Sequence, residues 1–337
     1  MPLPRKAVLG ILADNLRKRG SVLPLSRRTR TRWADGLDLP HGGKTVLYTG
    51  HMYQLIPTIN AMAKKMRALE GSWVTRFMGL GRVVNKAFSV SRFMGRVDTA
   101  ERTAFDRALR NIALLLQEAG VEFGYLYEKE LYSGALLHDE GLDVVLARHA
   151  LRVKEVLLAN GVQRVITVDP HTTHMLRTVY PDMLDGFPIE VRSYLEVLAE
   201  ANLQPRQPAA CSVSVHDSCL YARYEDVLDE PRTLLRRAGA RVSEPELSGL
   251  STHCCGGPVE SLFPARAHDI ASERVKQLEA TGADMVAAMC PICLVNLQGA
   301  ANGTKDRFRD ISTVLADAFL PGASEATPSQ RDQTSTP

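Results

Sequence analysis

The chain has 337 residues, of which 45% are hydrophobic and 23% are charged, an ordinary balance for a globular protein with room for two domains of about 150 residues. Its net charge of +3 is too small to indicate nucleic-acid binding by itself, and no apolar run approaches the roughly 20 residues that span a bilayer. The N-terminal run after Arg5 lacks a secretory cleavage site and predicts a short amphipathic helix. We therefore expect a cytoplasmic, reducing compartment, in which clustered cysteines serve metal or redox chemistry.

The first half of the chain follows a basic N-terminal extension, residues 1–43, which contains an arginine cluster at positions 27, 28, 30 and 32. A first module is predicted over residues 44–205. Its pattern predicts strands at 44–50, 121–126 and 164–168, with helices at 100–119 and 142–160. A basic insertion, residues 67–99, interrupts this pattern.

The second half, residues 206–320, repeats this order, and a polar tail that we expect to be disordered follows at 321–337. Strands are predicted at 211–215, 241–243 and 283–289, with helices at 231–238, 258–280 and 310–319. Strands that alternate with helices predict an α/β fold of two pseudo-repeated βαβ modules with small parallel sheets.

The repeat also aligns particular residues of the two halves. When Pro170 is placed on Pro291, Asp169 aligns with Cys290 and Thr172 with Cys293. In the same alignment, Tyr132-Ser133-Gly134 matches Cys254-Cys255-Gly256, and Gly50-His51 falls where Cys219 stands. The second module therefore has five thiols at positions where the first module has none.

Five of the six cysteines form one pattern: Cys219, the pair Cys254-Cys255 before Gly256, and Cys290-Pro-Ile-Cys293. Thirty-four residues separate Cys219 from Cys254, and thirty-four separate Cys255 from Cys290. Thiolates suit iron–sulfur clusters and zinc, and the helix predicted after Cys290 stabilises their charge. A vicinal pair strains the backbone, which Gly256 relieves if its φ is positive. Five thiolates exceed the four that zinc or an ordinary cubane cluster uses, so an open, distorted cluster fits the number better.

This pattern resembles the CCG domain, the cysteine-rich module of the heterodisulfide reductase-like family. The resemblance is specific over residues 211–320, includes His216-Asp217 and Asn296-Leu297, and extends in outline to residues 44–200. It implies an iron–sulfur electron-transfer subunit of a redox complex, cytoplasmic or membrane-associated through a partner. It also implies that the five cysteines bind one non-cubane [4Fe–4S] cluster, with His216 and Gly256 as supporting residues.

Two departures from the family limit what the resemblance implies. Without thiols in the first module, disulfide cleavage between two facing clusters does not transfer to this chain. The chain also lacks Cys-x-x-Cys-x-x-Cys repeats, so its electrons would come from a ferredoxin-like or flavoprotein subunit. The electron donor, the acceptor and the substrate are not implied.

Alternatives to the cluster remain open at this stage. Zinc would make the chain a structural subunit without redox activity, and Cys290 with Cys293 alone would suit a thiol–disulfide enzyme. Cys211 is predicted to be a core residue. In the first module, Asp169, His171 and His174, together with His51, are a candidate metal site.

A basic stretch interleaved with apolar residues covers 71–97 and contains no acidic residue. It is a candidate contact with a partner subunit or a membrane surface. No nucleic-acid motif accompanies this charge, so we expect no nucleic-acid partner.

Overall fold

The computed structural model describes residues 5–69, 97–260 and 263–321, which form two four-stranded parallel sheets. The strands of the first sheet lie in the order β2-β1-β3-β4. Their bounds are β1, Thr45–Tyr48; β2, Gly124–Tyr125; β3, Arg164–Thr167; and β4, Glu190–Ser193. Strand β1 pairs in parallel with both β2 and β3, so Val46, Leu47 and Tyr48 are buried at the centre of the sheet.

The second sheet has the equivalent order, β6-β5-β7-β8. Its strands are β5, Ser212–His216; β6, Arg241–Ser243; β7, Met285–Ala288; and β8, Phe308–Asp310. All pairs are again parallel. The α/β fold with two pseudo-repeated modules is therefore confirmed, and the cysteines belong to the second module.

The helices surround and connect these sheets. In chain order they are α1, Arg5–Arg19; α2, Arg27–Thr31; α3, Met52–Leu69; α4, Thr99–Glu118; α5, Ala135–Asp139; α6, Asp143–Ala159; α7, Pro170–His174; α8, Tyr180–Met183; α9, Tyr194–Glu200; α10, Asp229–Arg237; α11, Gly257–Glu260; α12, Pro264–Glu279; α13, Pro291–Ala300; and α14, Ile311–Phe319. Among the described residues, no helix is both long and apolar enough to cross a membrane.

The residue alignment predicted from the sequence is visible in the strand ends. Asp169 follows β3 and is the N-cap of α7, whereas Cys290 follows β7 and is the N-cap of α13. Each is followed by a proline in the first helical turn, where a missing N–H costs nothing. His51 and Cys219 each come three residues after the end of the central strand of their sheet.

The two modules contact each other through equivalent tyrosines and share one core. The Tyr53 hydroxyl donates to Asp310 Oδ2 at 2.7 Å, and the Tyr221 hydroxyl lies 2.8 Å from Ser193 Oγ. Both pairs join the helical segment after a central strand to the N-cap beyond the edge strand of the other sheet. A single hydrophobic cluster combines side chains from both modules, including Ile112 and Leu315. The strand ends of the two modules therefore face one another.

Some predicted bounds differ from the structure. The second strand is only Gly124–Tyr125, shorter than predicted, and the predicted helix at 258–280 is two helices separated before Pro264. The edge strands β4 and β8 were not predicted. The basic stretch at 71–97 lies almost entirely outside the described residues, as does the tail from residue 322.

Candidate metal centre

The five cysteines of the sequence pattern meet at the ends of β5 and β7. Cys219 follows β5, Cys290 ends the loop after β7, Cys293 lies in the first turn of α13, and Cys254-Cys255 precede α11. Hydrogen-bonding contacts between sulfurs connect Cys219 to Cys254, Cys254 to Cys255, Cys255 to Cys293, and Cys293 to Cys290. All five are free thiols rather than disulfides. The fold thus brings together residues that are up to 74 positions apart in the sequence.

Gly256 gives the vicinal pair its unusual backbone. Its φ of 82° lies in the left-handed region, as the sequence suggested. A Cβ at this position would stand 2.5 Å from the carbonyl oxygen of Ala267 on α12. The Gly256 amide also donates to Cys254 Sγ at 3.3 Å. Only glycine satisfies both the backbone conformation and the close approach of α12.

The packed thiols divide their protons unequally. Hydrogen bonds from the thiols of Cys219 and Cys255 lower the pKa of Cys254 to about 2. Burial opposes ionisation of Cys290, but the thiol of Cys293 and the imidazole of His171 hold its pKa below the ordinary range. Packing like groups together favours the neutral form of some and the thiolate form of others. Two of the five sulfurs are therefore disposed to be thiolates, the form that binds metals.

A buried ion pair fixes the two loops that carry the first three cysteines. Arg232 on α10 makes a bidentate contact with Asp217 at 2.8 and 2.9 Å and a second one with Glu244 at 2.7 and 2.8 Å. Asp217 Oδ2 also accepts from the amide of Gly249 at 2.7 Å, and its carbonyl accepts from the Thr252 hydroxyl. Asp217 lies two residues before Cys219, and Thr252 lies two residues before Cys254. This network therefore holds one loop against the other.

His216, the candidate supporting residue, lies against the sulfurs. One of its ring nitrogens, Cys255 Sγ and Cys293 Sγ all lie within 4.8 Å of one another, and no other group of three potential ligands is as close among the described residues. Burial, together with the charge of Arg274, lowers the pKa of His216 to about 3, so the ring is neutral. Its Nδ1 accepts from Arg274 Nε at 3.1 Å, while its buried Nε2 has no partner.

The first module contributes one side chain to this site. His171 Nδ1 lies 3.6 Å from Cys290 Sγ and 4.0 Å from Asp169 Oδ1. Burial lowers the pKa of His171, but the neighbouring Cys290 thiolate outweighs burial and raises it to about 9. This contact between the modules was not predicted, although the alignment of Asp169 with Cys290 placed both near the strand ends.

The candidate metal site of the first module is not assembled as the sequence suggested. His174 Nδ1 pairs with Glu225 at 2.7 Å, and His171 faces Cys290. In the described part of the chain, Asp169, His171, His174 and His51 do not supply three ligand atoms within 4.8 Å of one another. Asp169 instead caps α7 by accepting from the Thr172 amide. Cys211 lies apart from the other sulfurs, half-buried against the hydrophobic cluster, as predicted for a core residue.

A cavity of about 240 Å³ lies beside the sulfurs. Its lining includes His171, which contacts Cys290, and Leu220, which follows Cys219. Three further polar side chains, His138, Asp139 and Tyr224, also line it, and Tyr224 is 64% exposed. A separate cavity of about 430 Å³ lies in the N-terminal region, between Arg19 and Arg30, and includes none of the cysteines. The smaller cavity is therefore the one that bears on the thiol site.

Comparison with known proteins agrees with this geometry. The cysteine-rich domain family CCG matches residues 213–298, which contain all five cysteines. The chain is 28% identical to a probable iron-sulfur-binding oxidoreductase, FadF, of Bacillus subtilis, over 91% of this chain and 40% of that protein. It is 31% identical to the EtfAB:quinone oxidoreductase of Syntrophomonas wolfei, over 63% of this chain and 31% of that protein.

A third relative belongs to the dihydromethanophenazine:CoB--CoM heterodisulfide reductase of Methanosarcina mazei, one polypeptide of which is 30% identical over 61% of this chain and 54% of its own length. The chain thus spans between about a third and about half of the length of these relatives. It is a CCG-domain protein similar to heterodisulfide reductase subunits and iron–sulfur oxidoreductases.

Proposed function

We propose that the chain is the iron–sulfur electron-transfer subunit of a heterodisulfide reductase-like redox complex. Cys219, Cys254, Cys255, Cys290 and Cys293 would together bind one [4Fe–4S] cluster of the non-cubane type. The observation that carries this proposal is the continuous contact among the five sulfurs, two of which are disposed to be thiolates. A bound cluster would accept and release one electron at a time.

The donor set fits such a cluster better than zinc. A structural zinc ion takes four ligands in a tetrahedron, which would leave one of the five buried or half-buried sulfurs unused. The unpartnered Nε2 of His216 is a buried polar atom beside the sulfurs, and such an atom costs about 1–3 kcal/mol unless something accepts its hydrogen bond. Inorganic sulfide is such an acceptor, and a lone zinc ion is not.

The residues around the sulfurs have separate tasks in this proposal. The ion pair of Arg232 with Asp217 fixes the spacing of Cys219 from Cys254. His171 places a positive charge beside Cys290. With thiols in one module alone, the chain has one cluster site, and electrons must come from a partner, either a ferredoxin-like or a flavoprotein subunit. The 240 Å³ cavity next to His171 and Leu220 is where a small acceptor molecule would come nearest to the cluster.

The comparisons support a redox partner because two of the relatives are named as a quinone oxidoreductase of EtfAB and as part of a heterodisulfide reductase. We propose that any membrane association of this chain occurs through such a partner, with the chain itself on the cytoplasmic side. We further propose that the modules extend over 44–205 and 206–320, since each range contains one complete sheet with its helices.

The test is metal analysis of protein purified without oxygen. We expect about four iron and four sulfide per chain, with an electron paramagnetic resonance signal that changes on reduction. Cys254→Ser and Cys255→Ser should lose the signal. Cys211→Ser is the matched control, because Cys211 lies outside the sulfur site, and it should retain both iron and signal. About one zinc and no sulfide per chain would refute the cluster and leave a zinc-stabilised structural subunit.

A further inference from the structure

Arg274, on α12, is a buried cation beside the sulfur site. Its side chain is fully buried, and its guanidinium donates to Leu247 O at 2.7 Å, Gln277 Oε1 at 3.0 Å and Thr252 Oγ1 at 3.4 Å. Its Nε donates to His216 Nδ1 at 3.1 Å. Among the described residues, no carboxylate forms an ion pair with it. A buried charge without a counter-ion is costly, so its place next to thiols and a cofactor site is informative.

The contact with Arg274 determines which nitrogen of His216 bears the proton. A guanidinium only donates hydrogen bonds, so His216 Nδ1 must offer its lone pair to Arg274 Nε. In a neutral imidazole the other nitrogen then bears the hydrogen. His216 is therefore an Nε2–H donor, and neither of its nitrogens has a lone pair left for a metal ion.

The Nε2–H group is left to face sulfur. It is buried and has no acceptor in the protein, and the ring lies within 4.8 Å of the sulfurs of Cys255 and Cys293. Nδ1 is already occupied by Arg274. A cluster bound by these two cysteines would bring sulfur atoms to the one polar group in this wall that lacks a partner.

We propose that Arg274 is a positioning residue that fixes His216 as a hydrogen-bond donor to the cluster, and that the pair raises the reduction potential of the cluster. This inference rests on the proposed function. Reduction adds negative charge to the cluster, and both a hydrogen bond to sulfur and a nearby buried cation favour the more negative state. Arg274 also donates to Thr252, two residues before Cys254, so it holds His216 and the vicinal-cysteine loop in one arrangement.

The first test measures the midpoint potential of the loaded protein by a redox titration followed by electron paramagnetic resonance. Arg274→Gln and His216→Leu should each shift the potential to lower values, and the double variant should shift it little further, because the two residues act through one hydrogen bond. Arg274→Lys, which retains the charge and a donor, should recover part of the shift. Arg266→Gln is the matched control, an exposed arginine on the same helix, and should leave the potential unchanged.

Iron and sulfide content per chain separates tuning from ligation. If His216 were a metal ligand, His216→Leu would lose iron, whereas Arg274→Gln would not reproduce that loss. We expect unchanged iron content in both variants, and a loss of iron confined to His216→Leu would overturn the inference. So would an unchanged potential in Arg274→Gln.

A second measurement does not depend on a cluster. In metal-free protein labelled with ¹⁵N-histidine, long-range proton–nitrogen correlation spectra should show His216 with its hydrogen on Nε2, and Arg274→Gln should show a mixture of the two tautomers. A hydrogen on Nδ1 in the unmodified protein would refute the role of Arg274 even if the cluster is present. Absence of a cluster with the Nε2–H tautomer intact would instead refute the proposed function alone.

Discussion

Glu130 provides a quantitative test of the first module, because it is a carboxyl group with no exposed surface. It accepts hydrogen bonds from the Gly50 amide at 2.8 Å and from the Thr49 hydroxyl at 2.9 Å, and thereby fixes the turn between β1 and α3. Burial raises the pKa of Glu130 to about 7 from an ordinary value of 4.5, although these hydrogen bonds lower it in part. The folded protein therefore retains a proton that the unfolded chain loses first.

The direction of the pH dependence follows from proton binding. Between about pH 4.5 and pH 7 the folded state binds more protons than the unfolded state at this group, so the free energy of unfolding falls as pH rises. A pKa difference of this size corresponds to about 3 kcal/mol. The stabilisation is complete below pH 4.5 and is lost above pH 7.

The assay is urea unfolding of metal-free, reduced protein, followed by circular dichroism at several pH values. Glu130→Gln retains the acceptor oxygen and cannot ionise, so its free energy of unfolding should lack this component. The advantage of the unmodified protein over Glu130→Gln should decline by about 3 kcal/mol across the window. Glu128→Gln, an exposed neighbour, is the control and should follow the unmodified protein. A constant difference between Glu130→Gln and the unmodified protein at all pH values would refute the argument.

Three further predictions concern packing around the sulfurs and between the modules. Gly256→Ala should lose most of its iron and at least about 1 kcal/mol of stability, because of its positive φ and the clash with α12; iron content equal to that of the unmodified protein would contradict this. Arg232→Met should cost about 3–5 kcal/mol in urea unfolding, since it leaves Asp217 buried without its partner, whereas a cost under about 1 kcal/mol would show that the ion pair is not needed. Tyr53→Phe should cost about 1 kcal/mol through the lost bond to Asp310, and no measurable cost would mean that this contact between the modules is not stabilising.

The sequence predicted the central strands and the thiol pattern because both have strong local signals. Strands β1, β3 and β7 are short apolar runs with buried residues, and cysteine spacing is independent of the details of the backbone. The edge strands β4 and β8 have only four and three residues. Strand β4 contains Glu190 and Arg192, and such a short, charged edge strand gives no apolar run to detect.

The supporting polar residues could not be identified from sequence for a different reason. Arg274 lies on an amphipathic helix whose other arginine, Arg266, is exposed, and helical periodicity does not show that a guanidinium is buried against a histidine 58 residues earlier in the chain. The contact of His171 with Cys290 joins residues 119 positions apart. Such pairs arise from the packing of one module on the other, which the spacing within each module does not specify.

The alignment of Asp169 with Cys290 explains how one module can lose its thiols without losing its fold. In the first module Asp169 Oδ1 accepts from the Thr172 amide at 3.0 Å, which satisfies the start of α7. In the second module a sulfur occupies the same N-cap position before α13, and Cys293, the counterpart of Thr172, provides a second sulfur instead of a hydroxyl. Each strand end therefore places an acceptor at a helix N-terminus, where negative charge is stabilised. A carboxylate makes that arrangement self-sufficient, whereas a thiolate pair leaves it open to a metal centre.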